Sequence, residues 1–159
     1  MRDRSLSHNE LLASSRYSTL STLRERSSID SQKAALIAAR AALEKLAEDA
    51  VVMDLRSLST VADYFVICTG NSARQLDAIK NHIEDALGEQ SYQVWHSEGA
   101  TTASDGPSDA PQWVLMDCGD FVVHLFDQKA RSFYRLEDLW ADAPRLSLGP
   151  SPSASTRLK

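Results

Sequence analysis

The sequence predicts a mixed α/β fold in which helices pack on a single five-stranded sheet. Three observations carry that expectation. Apolar residues recur at three- and four-residue steps in two separate segments, the spacing of a helix face. Tyr64–Thr69 is rich in β-branched and aromatic residues, as in a strand buried on both sides. The link Cys118–Gly119–Asp120 joins two apolar runs and is short enough to force an antiparallel hairpin, which excludes an all-parallel doubly wound sheet.

The elements run in the order α-β-β-α-β-β-β-α. Leu36, Ala39, Leu43, Leu46 and Ala50 describe the apolar face of a first helix. Val51–Leu55 is a short apolar run and a candidate strand, followed by the strand Tyr64–Thr69, which Gly70 ends. Ser72 with Gln75 three residues later is a capping-box pattern, opening a helix striped by Leu76, Ile79, Ile83 and Leu87 and closed by Gly88. Tyr92–Trp95 reads as a third strand, and residues 100–111, with two prolines and a glycine, as a surface loop. Trp113–Asp117 and Phe121–Phe126 form the hairpin. Asp127 can cap a final helix that carries Phe133, Leu136 and Trp140 on one side. Phe65, Ile67, Leu115 and Leu125 lie in runs too apolar to face solvent and are assigned to the core.

Charge divides the 159 residues into three parts. Residues 1–30 carry five arginines against four acids, with eight serines and no sustained period, and read as a flexible extension. Residues 144–159 are Pro/Ser-rich, with three basic residues and no acid, and read as a flexible tail. The domain between, 31–143, then holds eighteen acids and nine basic residues, a net of −9. Such a core suits a basic protein partner better than nucleic acid, although solubility alone also explains it. No apolar run approaches the roughly 18 residues of a membrane span. The acids in the first thirty residues argue against an organelle transit peptide, and two cysteines outside any CxxC pair fit a reducing compartment, so a cytoplasmic location is expected.

Catalytic chemistry is hard to place. His8, His82, His96 and His124 share no metal-ligand spacing with each other or with cysteine, and there is no dinucleotide or P-loop motif, so neither metal nor cofactor is expected. His124, inside an apolar strand, reads as a hydrogen-bonded structural histidine. The turn Thr69–Gly70–Asn71–Ser72 before a helix start resembles the Gly-Ser entrance of a nucleotidyltransferase site, where backbone amides hold phosphate. That chemistry needs paired carboxylates for Mg²⁺, yet Asp117 and Asp120 straddle a hairpin turn while Asp63 and Asp77 belong to separate elements. The site is incomplete. Arg74 and Arg131 are expected to tie helix starts to nearby acids.

The segments 62–84, Ser97–Glu98–Gly99 and 112–140 together resemble the ribosomal silencing factor, or Iojap-like, family. The run from Trp113 through Asp117, Gly119-Asp120, Val123-His124, Phe126, Arg131 and Tyr134 to Leu139-Trp140 is the most specific part. The resemblance implies a nucleotidyltransferase-like fold without the catalytic acids, and a binding protein rather than an enzyme. It also implies docking on universal large-subunit ribosomal protein fourteen, where it would block joining of the small subunit and repress translation under nutrient limitation. A role in large-subunit assembly uses the same face. Trp113, Cys118 and Tyr134 match the positions that the family uses for this contact, although for Trp113 a place in the core is equally compatible with its run. The basic tails would be free to touch ribosomal RNA, and an exposed hairpin edge or apolar docking face would permit a homodimer of the free protein. The competing class is an enzyme working at the Gly70–Ser72 turn.

Overall fold

The structure is a computed structural model, and it describes residues 30–99 and 110–149. Helix α1 covers residues 30–44. Strand β1 (Glu48–Asp54) and β2 (Tyr64–Thr69) follow, then α2 (Ala73–Glu89), β3 (His96–Glu98), β4 (Trp113–Asp117), β5 (Phe121–Phe126), α3 (Gln128–Tyr134), α4 (Leu136–Leu139) and β6 (Arg145–Leu146). The six strands form one open sheet in the order β3-β4-β5-β2-β1-β6. Only the central β2–β5 pair is parallel; every other neighbour is antiparallel. The mixed α/β class, the β2 boundaries and the antiparallel β4–β5 hairpin agree with the expectation from sequence.

Alternation along the strands divides the core in two. On one face Val52, Tyr64, Val66, Cys68, Val114, Met116, Phe121, Val123 and Leu125 pack beneath α1 and α2. Helix α2 contributes Leu76, Ile79, Ile83 and Leu87, all fully buried at the expected four positions. Half of the capping box is present at its start: Ser72 Oγ accepts from the Gln75 amide, while Gln75 Oε1 accepts from the Asn71 amide in place of that of Ser72. On the other face a smaller cluster forms from Met53, Leu55, Ile67, Phe126, Ala130 and Ala143, with Phe65, Trp113, Leu136 and Trp140 at its margin. This second face is covered by the two short helices α3 and α4 instead of long ones.

Several expectations are corrected. Among the described residues the sheet has six strands, because Arg145–Leu146 pairs with Met53 and Val52; the flexible tail expected from residue 144 therefore starts inside the fold. The third strand is His96–Glu98, not Tyr92–Trp95. The Tyr92 amide is committed to the Leu87 carbonyl that closes α2, so the ladder opens only where the Trp95 amide reaches the Asp117 carbonyl. That same closure, with Ser91 at φ 63°, ends α2 past Gly88. Helix α1 buries Ala34, Ala35, Ala38, Ala39, Ala41 and Ala42 instead of the leucine stripe, since small side chains allow close approach to the sheet. The helix ends before Leu46, which is exposed at φ 62°, and Ala50 belongs to β1. The single final helix is two, broken at Arg135 in the left-handed conformation (φ 46°, ψ 47°). Phe65 and Leu115 are half-buried instead of core, because the second face is only partly covered. The N-terminal extension, most of the 100–111 loop, the end of the tail and any RNA contact made by the tails lie outside the described residues.

Candidate functional site

The open face of the sheet carries an aromatic platform. In the β4–β5 ladder Trp113 lies opposite Phe126 and Leu115 opposite His124, so all four share the face covered by α3 and α4. The Asp127 carboxylate caps α3 by accepting from the Ala130 amide at 2.7 Å, and the Asp127 amide donates to the Gln112 carbonyl. These two bonds hold the start of α3 against the end of the hairpin, about two turns from Tyr134. The Trp113 ring centroid is then 4.7 Å from Tyr134, 5.3 Å from Phe126 and 5.8 Å from His124. Phe133 stands perpendicular to Tyr134 at 5.0 Å.

Exposure grades across this platform. Phe126 and His124 are buried, Trp113 is half-buried, Tyr134 is 42% exposed, and Phe133 and Leu139 are 73% and 75% exposed. An open groove of about 180 Å³ between Glu98, Gly99, Trp113 and Leu115 continues it toward β3. Gly99 is required there. It sits at φ +106°, and a Cβ would run into the Trp113 carbonyl and lie 2.9 Å from Val114 Cα. We expect Gly99→Ala to cost about 2–4 kcal/mol of stability, read by urea unfolding, from backbone strain plus displacement of β3 from β4.

The polar tip of Trp113 points inward: its indole N–H donates to His124 Nδ1 at 3.3 Å. His124 accepts there, so its neutral ring carries the proton on Nε2, which is buried without a hydrogen-bond partner among the described residues. The expected structural histidine is thus satisfied on one nitrogen only. Burial pushes its pKa down to about 4. With the indole N–H used internally, Trp113 offers a partner its ring.

Of the three residues expected to bind, Trp113 and Tyr134 come together and Cys118 does not. Cys118 packs against the core beneath α1 and α2, on the opposite side of the sheet. Burial, with Asp117 and Glu84 nearby, pushes its thiol up to about 12; Cys68 is likewise raised to about 12 by complete burial. Phe133 and Leu139 were missed as surface residues. Phe133 shares one side with Leu136 and Trp140 only on the assumption of one continuous helix. Arg131 does tie a helix to an acid, donating to Glu137 at 2.8 Å, whereas Arg74 is exposed.

The Gly70–Ser72 turn is filled from within the chain. The Gly70 amide donates to the Phe126 carbonyl, the Asn71 amide to Gln75 Oε1 and the Gln75 amide to Ser72 Oγ. Asn71 Nδ2 donates to Glu48, which sets a carboxylate where a phosphate would need positive potential. Asp117 is committed to the Gly119 amide in the hairpin turn. Among the described residues no group of three or more His, Cys, Asp or Glu is arranged to hold a metal ion, and no helix is long and apolar enough to cross a membrane.

The family model described as ribosomal silencing factor during starvation matches residues 28–158. The chain belongs to the ribosomal silencing factor family. The match reaches past residue 143 and so takes in β6. A ribosomal silencing factor of Bacillus subtilis is 46% identical over 112 residues, which are 70% of this chain and 88% of that one. One from Halalkalibacterium halodurans is 37% identical over 76% of this chain and 96% of its own length. The chloroplastic protein Iojap of Zea mays is 34% identical over 69% of this chain and 44% of its own. A crystal structure from Bacillus halodurans, 34% identical, superposes with a TM-score of 0.58 over 73% of this chain and 98% of that one. A second, from Chromobacterium violaceum, 26% identical, gives 0.61 over 76% and 94%. Family membership and the mixed α/β fold therefore agree with the expectation from sequence.

Proposed function

We propose that this ribosomal silencing factor acts by steric exclusion: it docks on universal large-subunit ribosomal protein fourteen through the Trp113–Tyr134 platform and keeps the small subunit from joining, repressing translation in the cytoplasm when nutrients run short. The observation that carries this reading is the graded platform itself, buried at Phe126 and progressively exposed through Trp113 to Tyr134 and Phe133. Partly buried aromatics held by their neighbours lose little entropy on docking and dominate binding energy. The acidic charge of the domain supports a basic partner. The patch proposed here comprises Trp113, Tyr134 and Phe133; Cys118, on the far side of β4, stands outside it. An enzymatic reading at the Gly70–Ser72 turn gains no support, because the Gly70, Asn71 and Gln75 amides are already bonded and the Glu48 carboxylate stands beside the turn.

The test is sedimentation. Added to separated subunits, the protein should deplete the joined-particle peak and migrate with the large subunit, whereas pre-joined particles should resist because their interface is covered. Migration with the small subunit alone would overturn the proposal. Binding to the isolated ribosomal protein should also weaken as salt is raised from 50 to roughly 500 mM, as expected where rim charges contribute.

A further inference from the structure

We infer that Arg131 is the positioning residue of the docking patch, a clamp that sets the α3–α4 elbow and thereby aims Tyr134. The inference deepens the docking reading and rests on it for its binding arm. Helices α3 and α4 have seven and four residues, too short to hold their shape by their own hydrogen bonds. They bury little: Ala130 is the one fully buried residue of α3, and α4 has none. Between them Arg135 adopts a left-handed conformation without glycine, so the elbow is strained. Something must over-determine that geometry.

Arg131 is placed to do so. Its side chain is only 14% exposed, and its guanidinium reaches two elements at once. One nitrogen donates to Thr69 Oγ1 at 2.8 Å, at the buried end of β2. Another donates to Glu137 Oε1 at 2.8 Å, in the first turn of α4. Its backbone carbonyl accepts from the Arg135 amide and so closes α3 at the break. A rigid fork therefore ties the sheet to α4 across the residue that follows Tyr134. Lysine keeps the charge but lacks the planar fork that fixes both partners in one geometry. The platform's exposed residues Phe133, Tyr134 and Leu139 all lie on the two helices this fork connects.

The experiment measures affinity for the isolated ribosomal protein fourteen in a double-mutant cycle, with amide hydrogen exchange on the free protein. Arg131→Lys should weaken binding about tenfold in the wild-type background and less than about twofold in the Tyr134→Ala background, because a residue acting through Tyr134 loses its effect once that ring is gone. In the free Arg131→Lys protein, exchange across residues 130–139 should accelerate about tenfold while Tyr64–Thr69 stays protected. Glu137→Gln, which keeps an acceptor for the fork, should fall between wild type and Arg131→Lys in both readouts. Equal losses of affinity in the two backgrounds would overturn the inference, as would unchanged exchange in the elbow or loss of protection throughout the sheet. If the wild-type protein does not bind ribosomal protein fourteen at all, the docking reading fails, and the exchange arm alone decides whether Arg131 holds the elbow.

Discussion

Trp113→Ala should cost about 3 kcal/mol of folding stability as well as weakening docking, and it should be the most damaging single truncation among the three patch residues Trp113, Phe133 and Tyr134. The ring contacts Phe126, His124 and Tyr134 and joins the margin of the second core, so its removal leaves a cavity as well as an exposed gap. It also strips His124 Nδ1 of its donor, on a ring whose Nε2 N–H already lacks an acceptor among the described residues. Tyr134→Ala should behave differently. That side chain lies at the end of α3 and is substantially exposed, so it should lose about 1–3 kcal/mol of binding with less than about 1 kcal/mol of stability. Urea unfolding and affinity for the large-subunit protein, measured on both variants, separate the two cases. Loss of both stability and affinity in Trp113→Ala would mean that docking and core are not alternatives for this residue. An unchanged unfolding midpoint for Trp113→Ala would show that its packing carries no stability.

The second large effect is a loss of stability in mild acid. His124 has its pKa pushed down from the ordinary 6.5 to about 4 by burial among aromatic rings. Between these values the unfolded chain binds a proton that the folded chain refuses, so stability must rise with pH across that window. Equivalently, stability is complete above pH 6.5 and should fall by about 3 kcal/mol as the pH drops toward 4. In the folded protein the protonation that would remove the acceptor from the Trp113 indole comes only near pH 4, so docking by the folded molecules should hold until the lower end of that range. Asp54, whose carboxyl is held below its ordinary 3.8 by hydrogen bonding to Arg56, acts only at lower pH and does not blur the window. His124→Gln should flatten the stability profile between pH 6.5 and 4, as followed by thermal unfolding. A profile as steep as that of wild type would assign the acid sensitivity to another group.

How far the sequence could be read depends on the range of the interaction responsible. Local patterns spoke for themselves: β2 was legible because an apolar, β-branched run has one compatible environment, and α2 because its cap and four-residue stripe agree. The hairpin followed from three linking residues. Family membership was legible in the long run from Trp113 to Trp140, and with it the pairing of Trp113 and Tyr134 as candidates for one surface. Failures arose wherever a distant partner decided. Arg145–Leu146 carries no strand signal of its own and is a strand because β1 presents a free edge to it. Cys118 looked like a companion of Trp113 along the chain, but β4 alternates its side chains, and the residue after Asp117 packs under α2. The break at Arg135 has no glycine to announce it, and without that break Phe133 counts as an inward residue.

The chain's own order thus determined its class, its central strands, its best-formed helix and the acidic character of its domain, because these rest on periodicity, capping and composition within a few residues. Tertiary structure alone decided which aromatics share a face and that the indole N–H of Trp113 turns inward to His124. It also decided that the phosphate-like turn is filled by Gln75 and Glu48, and that a half-buried arginine spans from β2 to α4. Each of these depends on groups far apart in sequence that meet only when the sheet closes in its β3-β4-β5-β2-β1-β6 order, and a hydrogen bond between such groups leaves no periodic trace in the chain.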